Sequence, residues 1–187
     1  MYDPHDPFLI LLLCDFEPGF GPRMGKMVVD NDWYQKAIDL ASERWEIPLS
    51  TIDRAKVAFR AAYALENAFF IDQELFIAKY IDRFMETFTL IKNSSAHRHF
   101  GKIMATLLHT QRLKPTIEQA SFIAETTAQW LADPKSRVAV KIWALEILNL
   151  LAPQVEWVNE LLPDAIGLLS INPTPGIRVR LRRMHTK

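Results

Sequence analysis

Three segments of this chain repeat one another at a step of about forty residues. Tyr63-Ala64-Leu65-Glu66, Met104-Ala105-Thr106-Leu107 and Trp143-Ala144-Leu145-Glu146 align at spacings of 41 and 39, and a fourth register falls at Met184, another 41 on. In that alignment Lys102-Ile103 sits over Lys141-Ile142, and Arg98, Arg137 and Arg178 share one column. The turns before them match as well, with Asn93, Asp133 and Asn172 within a residue of one another. Between the turns, aromatic and aliphatic residues recur at three- and four-residue steps, the period of a helix with one apolar face. A helical hairpin of this size cannot bury that face alone, so the units must stack on their neighbours.

The spacing predicts helices over residues 31–46, 51–71, 73–91, 95–111, 117–132, 136–152 and 155–171, with a last partial helix from 176. The breaks at Pro48, Asn93-Ser94, Pro115, Asp133-Pro134, Pro153 and Asn172-Pro173 each supply a ring or a capping side chain. The expected fold is all-α, a right-handed α-α superhelix of the HEAT/armadillo type with about three to four helix pairs, occupying residues 31–187. Residues 1–30 differ. Pro4, Pro7, Pro18 and Pro22 with Gly19, Gly21 and Gly25 argue against helix and for a loosely docked tail, or a start at Met24 or Met27. The alternative is that residues 8–14 form a short element packed on the end of the helical array.

Composition narrows the function classes. Lys and Arg total 22 and Asp and Glu 22, so no overall field draws the chain to nucleic acid or to an anionic membrane. The single cysteine, Cys14, excludes an internal disulfide framework and fits a reducing compartment. The apolar run Phe8–Cys14 is far shorter than the roughly 20 residues that span a bilayer, and acids flank it where a secretory signal carries bases. These features predict a cytoplasmic protein. The histidines His5, His97, His99, His109 and His185 form no i, i+4 pair with a glutamate between them, so no metal site is expected. Gly101, Gly167 and Gly176 stand alone, so neither a phosphate loop nor a cofactor is expected. Glu66 and Glu146 occupy equivalent repeat positions, which predicts a repeated structural role and not an acid/base pair. Phe76, Tyr80, Phe84 and Phe88 read as core, and Trp130, Trp143 and Trp157 as packing between repeats.

Trp130-Leu131-Ala132-Asp133-Pro134 through Arg137-Val138 to Leu145 looks like the second half of a HEAT unit, an acidic-Pro turn leading to an arginine that opens the inner helix. More specifically, residues 54–184 resemble a family of short bacterial all-helical proteins of the HEAT/armadillo class. The resemblance rests on Ala62-Tyr63-Ala64-Leu65-Glu66, Tyr80-Ile81-Asp82, Asn93-Ser94-Ser95-Ala96-His97-Arg98 and the basic ending from Gly176 to Met184. Members of that family often carry the name adenylosuccinate lyase. That name implies elimination of fumarate by a serine on a flexible loop, usually in a Ser-Ser-x-Met-Pro context, with a histidine acid. Ser94-Ser95-Ala96-His97 offers two serines and a histidine, but the chain has no Met-Pro dipeptide, and the serines fall where a helix N-cap is needed. No catalytic residue is assigned.

What remains is a surface pattern. Arg98 with Lys102, Arg137 with Lys141, and Arg178 with Arg182 are basic pairs four residues apart, so each pair projects from one helix face. On the inner helices of a HEAT array they would line the concave surface as a basic stripe, extended by Lys56 and Arg60. The structural alternative is a ladder in which Arg98 and Arg137 bind turn acids such as Asp133, leaving Lys102, Lys141 and Arg182 as the better partner-facing candidates. Two functions follow as expectations: a non-enzymatic scaffold holding a protein partner on its concave inner-helix face, or a nucleic-acid-associated module whose basic groove contacts phosphates. A duplex ligand neutralised at about four phosphates would give a salt slope near −3.6.

Overall fold

The computed structural model describes residues 5–185, with side chains through Arg182. Among these residues the fold is all-α, eleven helices and no strand. The chain divides into two compact units, Met1–Phe100 and Gly101–Lys187.

The first unit holds α1 (Pro7–Leu13), α2 (Phe20–Asp30), α3 (Tyr34–Ala41), α4 (Thr51–Ile71), α5 (Gln73–Lys79), α6 (Ile81–Phe88) and the start of α7 (Ser94–His109). Its centre is α4, on which α1, α2 and α3 all pack. Ser50 caps α4, its hydroxyl accepting from the Asp53 amide at 3.1 Å. Ala58, Ala61, Ala62, Ala64 and Ala68 are fully buried along α4. With methyl groups for side chains, this helix admits neighbours on more than one face.

The segment expected as a loose tail is, from Pro7 onward, two helices; residues 1–4 lie outside the described residues. Phe8, Leu12, Met24 and Val28 are fully buried. The residues read as helix breakers serve the helices instead. Pro7 opens α1 at a position where no amide donor is required, and Asp6 caps it through the Phe8 and Leu9 amides. Pro22 lies in the first turn of α2, and Gly19, at φ 80°, makes the left-handed turn before it. Gly21 and Gly25 face α4 one turn apart, and a Cβ built on Gly25 would lie 2.5 Å from Asn67 Cβ and 2.9 Å from the Ala68 nitrogen. A count of Gly and Pro reads such a seam as irregular chain, because it cannot tell a breaker from a close helix contact.

Arg60 ties this segment down. The sequence placed it on a basic stripe, but it is 8% exposed, donating to Leu12 O at 2.7 Å and to Cys14 O, the last carbonyls of α1. Its guanidinium lies 5.2 Å from the Phe16 ring and 5.6 Å from the Phe20 ring. Lys56, the other proposed extension of that stripe, pairs with Asp53 at 3.2 Å.

Two other boundaries differ. Helix α3 ends at Ala41, five residues before expected, because the Ser42 hydroxyl bonds Asp39 O and Trp45 folds back to donate from Nε1 to Leu40 O at 3.0 Å. The helix expected over 73–91 is two, broken at Tyr80, a position without proline or glycine. The Tyr80 ring stacks on Tyr34 at 4.9 Å and its hydroxyl donates to Asp32, contacts from a distant element that local sequence does not carry.

The second unit contains the rest of α7, then α8 (Ile117–Ala132), α9 (Val138–Leu151), α10 (Glu156–Ile171) and α11 (Pro175–His185). Thr116 and Gln119 form a reciprocal capping box on α8. The most apolar helix of this unit, α9, packs on α8, α10 and α11. Pro163 lies inside α10 and removes one helical donor midway along it.

Two outcomes follow. Gly25→Ala is expected to lower stability by about 1–3 kcal/mol through overpacking against α4, whereas Gly167→Ala in α10, with nothing within 4 Å of the new Cβ, is expected to raise it by about 0.5–1 kcal/mol. Urea unfolding of the two variants checks both signs. Burial, then the Asp32 carboxylate, push the Tyr80 phenol up to about 12, and burial raises Tyr34 further. Stability from these phenols is fully present below the unfolded value of about 10 and is lost as pH climbs through about 12. Absorbance titration at alkaline pH is expected to show these two tyrosines ionising late, together with loss of helical signal.

Candidate functional site

The repeat predicts one role that the structure makes specific. Glu66 on α4 receives His99 on α7, with Nδ1 2.5 Å from Oε2 and the two residues 33 apart. In the second unit Glu146 on α9 receives Arg180 on α11, Nη1 2.5 Å from Oε2 and 34 apart. Glutamates at aligned sequence positions thus each hold a base on a helix that follows in the chain. His99 is sealed beneath the Phe59 and Tyr63 rings, at 5.6 and 5.1 Å, and its Nε2 is buried without a hydrogen-bond partner among the described residues. The Arg180 guanidinium lies 5.5 Å from the Trp143 ring centroid. Side-chain exposure is 14% for Arg180 and 13% for Glu146, so the pair is a structural tie. The sequence reading passed over Arg180 in favour of its neighbours. Helical spacing carries no signal that separates them, since Arg178 and Arg180 flank the buried Ile177 and Leu181 symmetrically; the contacts with Glu146 and Trp143 decide which one is buried.

The six basic candidates have different surroundings. Arg98, on α7 in the first unit, and Arg137, the N-cap of α9, are exposed and belong to no ion pair or side-chain hydrogen bond among the described residues. The expected ladder to Asp133 is absent there: that carboxylate accepts from the Lys135 amide at 2.8 Å, closing its own turn. Arg178 reaches Pro173 O at 3.5 Å, and Arg182 is exposed. Lys102 is half-buried on the part of α7 within the second unit. The serines of the expected cap sit one residue late. Asn93 caps α7 by accepting from the Ser95 and Ala96 amides at 3.0 and 3.2 Å, and Ser94 is its first helical residue.

Lys141 is the candidate that adjoins a cavity. In the second unit an open groove of about 630 Å³ runs between α8 and α10. Ala128, Leu131 and Ala132 form one wall, Leu161, Ala165 and Leu168 the other, and Lys141 enters from α9. Three polar side chains, Gln129, Lys141 and Asp164, interrupt an otherwise apolar lining. Neither Lys141 nor Asp164 has an ion pair or side-chain hydrogen bond among the described residues, so two opposite charges line one groove unjoined. Leu168 is 72% exposed and Ile171, one turn on, 74%. Sequence periodicity identified Lys141 but assigned it to the inner-helix stripe; the groove it borders lies on the α8 and α10 side. The excess of apolar residues on α10 was the available signal, since α10 has only Val158 and Leu162 buried.

No group of three or more metal-ligating side chains occurs among the described residues. The other cleft of note, about 320 Å³ in the first unit, lies between Phe16, Phe20 and Tyr63. Arg60 already stands over two of those rings, and Glu17 beside them pairs with Arg23 at 3.3 Å.

Replacing the buried base and its exposed neighbour separates structure from surface. Arg180→Met is expected to cost about 2–4 kcal/mol by stranding Glu146, while Arg178→Met stays within about 0.5 kcal/mol of the parent, as measured by denaturant midpoints.

In comparison with known proteins, no family model, no curated protein and no solved structure matches the chain.

Proposed function

We propose that this protein is a non-enzymatic helical-repeat module of the HEAT/armadillo kind, which holds an apolar segment of a protein partner in the groove between α8 and α10. The single observation that carries the reading is that groove: apolar walls around about 630 Å³, bordered by the unpaired Lys141. Cavities of several hundred Å³ with apolar walls and a few polar groups are the usual form of a binding site. Leucine exposed to the extent of Leu168 beside such a groove is apolar surface that a partner would remove from water. The repeat assignment draws support from the Glu66–His99 and Glu146–Arg180 pairs, one in each unit at nearly the same separation. In this reading the partner-binding surface is the α8 and α10 side and not the inner-helix stripe first expected.

Balanced charge and scattered exposed bases give the nucleic-acid reading no comparable feature. The lyase reading has its serines at the start of α7, where Asn93 and not a mobile loop holds the chain.

A photoreactive amino acid placed at Leu168 and, separately, at Arg178 tests the assignment in cells. A discrete higher-mass protein adduct is expected from position 168 and none from 178. Adducts from 178 alone, or none from 168, would overturn it.

A further inference from the structure

We infer that the segment held between α8 and α10 is an amphipathic helix of about two turns whose apolar stripe carries a carboxylate, seated against Lys141. This rests on the groove reading above and adds the chemistry of its occupant. The lining residues on α10 run from Leu161 to Leu169, which at 1.5 Å per residue is about 12 Å, or about two helical turns. Leucine and alanine walls of that length match the leucine or isoleucine side chains that a short helix presents at i, i+3, i+4 and i+7.

Charge then selects among apolar helices. Lys141 is half-buried against apolar walls and has no acid near enough to pair with it among the described residues. An ammonium in that position loses hydration without recovering it from a counter-charge, and covering the groove increases the loss. Asp164 stands on the exposed part of the same lining, where water still solvates it. The occupant therefore gains more from an acid that reaches Lys141 than from a base that reaches Asp164. Lys141 also lies in the first turns of α9, which has no acid in its first turn and no side chain capping its amides. The positive end of the helix dipole adds to the field of the ammonium and favours the same sign of ligand.

The probe is a fluorescein-labelled 14-residue helical peptide with leucine at i, i+3, i+4 and i+7 and one glutamate flanking the stripe, compared with versions carrying glutamine or lysine at that site. Fluorescence anisotropy with the full-length protein is expected to give at least about tenfold tighter binding for the glutamate peptide than for the lysine peptide. Lys141→Glu is expected to invert that order, and Asp164→Asn to leave the glutamate peptide bound at least as tightly as before. Leu168→Gln, at a site 72% exposed and so without cost to folding, is expected to weaken all three peptides together, with circular dichroism unchanged.

Equal affinity for the three peptides, all lost with Leu168→Gln, would overturn the carboxylate assignment and leave the groove as a docking site. Failure of every leucine peptide to bind at millimolar concentration would remove the groove reading itself. A concentration-dependent dimer in sedimentation, abolished by Leu168→Gln, would assign the groove to a second copy of the chain. Dodecanoate that binds more tightly than the glutamate peptide and displaces it would assign the groove to a lipid carboxylate. Either of these outcomes overturns the inference.

Discussion

Close approach of helix backbones, made possible by the smallest side chains, is the constraint on which each unit depends. Five fully buried alanines on α4 leave so little volume on that helix that α1, α2 and α3 can all rest against it. Gly25 brings α2 so near that the space a methyl group would fill is already taken by Asn67 and the Ala68 backbone. The second unit uses the same device at Gly101, where an added Cβ would lie 3.1 Å from the Trp143 Cβ, and at Gly176, where it would lie 2.9 Å from the Ile142 Cδ1. Interiors packed to this density tolerate no added atom without movement, so the first unit gets its definition from absent volume as much as from large apolar residues.

Into these tight interiors the chain places a few charged groups, each answered by a specific partner. Arg60 satisfies carbonyls at the end of α1, Glu66 meets His99, and Glu146 meets Arg180. A buried charge without such a partner is costly, so these contacts select one register of helix against helix where apolar packing alone would accept several. The ion pairs at the surface differ in kind. Lys26 with Asp30, both well exposed at 72% and 50%, contributes little beyond local helix support.

How much of this was legible in the sequence depends on which residues carried the information. Helices over 51–71 and 117–132 are read to the residue, because Ser50 and Thr116 cap their starts and the apolar period stops at Asp72 and Asp133. The shared role of Glu66 and Glu146 is visible in the repeat alone. The first 30 residues were misread because Gly21, Gly25 and Pro22 have one meaning in a loop and another on a helix packed against α4, and only the partner helix decides between them. The break at Tyr80 has no local cause, since its reason lies on Tyr34 and Asp32. For the groove, Lys141 was visible as one of a recurring basic pair, but the groove itself is formed by the unburied side of α10, which periodicity records only as surplus leucine.

The grip of Arg60 on the carbonyls of Leu12 and Cys14 joins residues 48 and 46 positions apart. During synthesis the first helix therefore emerges long before the side chain that holds it exists. Until α4 has left the ribosome, Trp33 beside Phe8 is present but the α4 surface on which α1 packs is not, and apolar side chains left exposed in that way are aggregation-prone. The closure by Arg60 is one of several in the first unit that join residues nearly fifty positions apart, with Tyr80 to Asp32 and Asn93 to Glu43, so that unit depends on non-local contacts that form late.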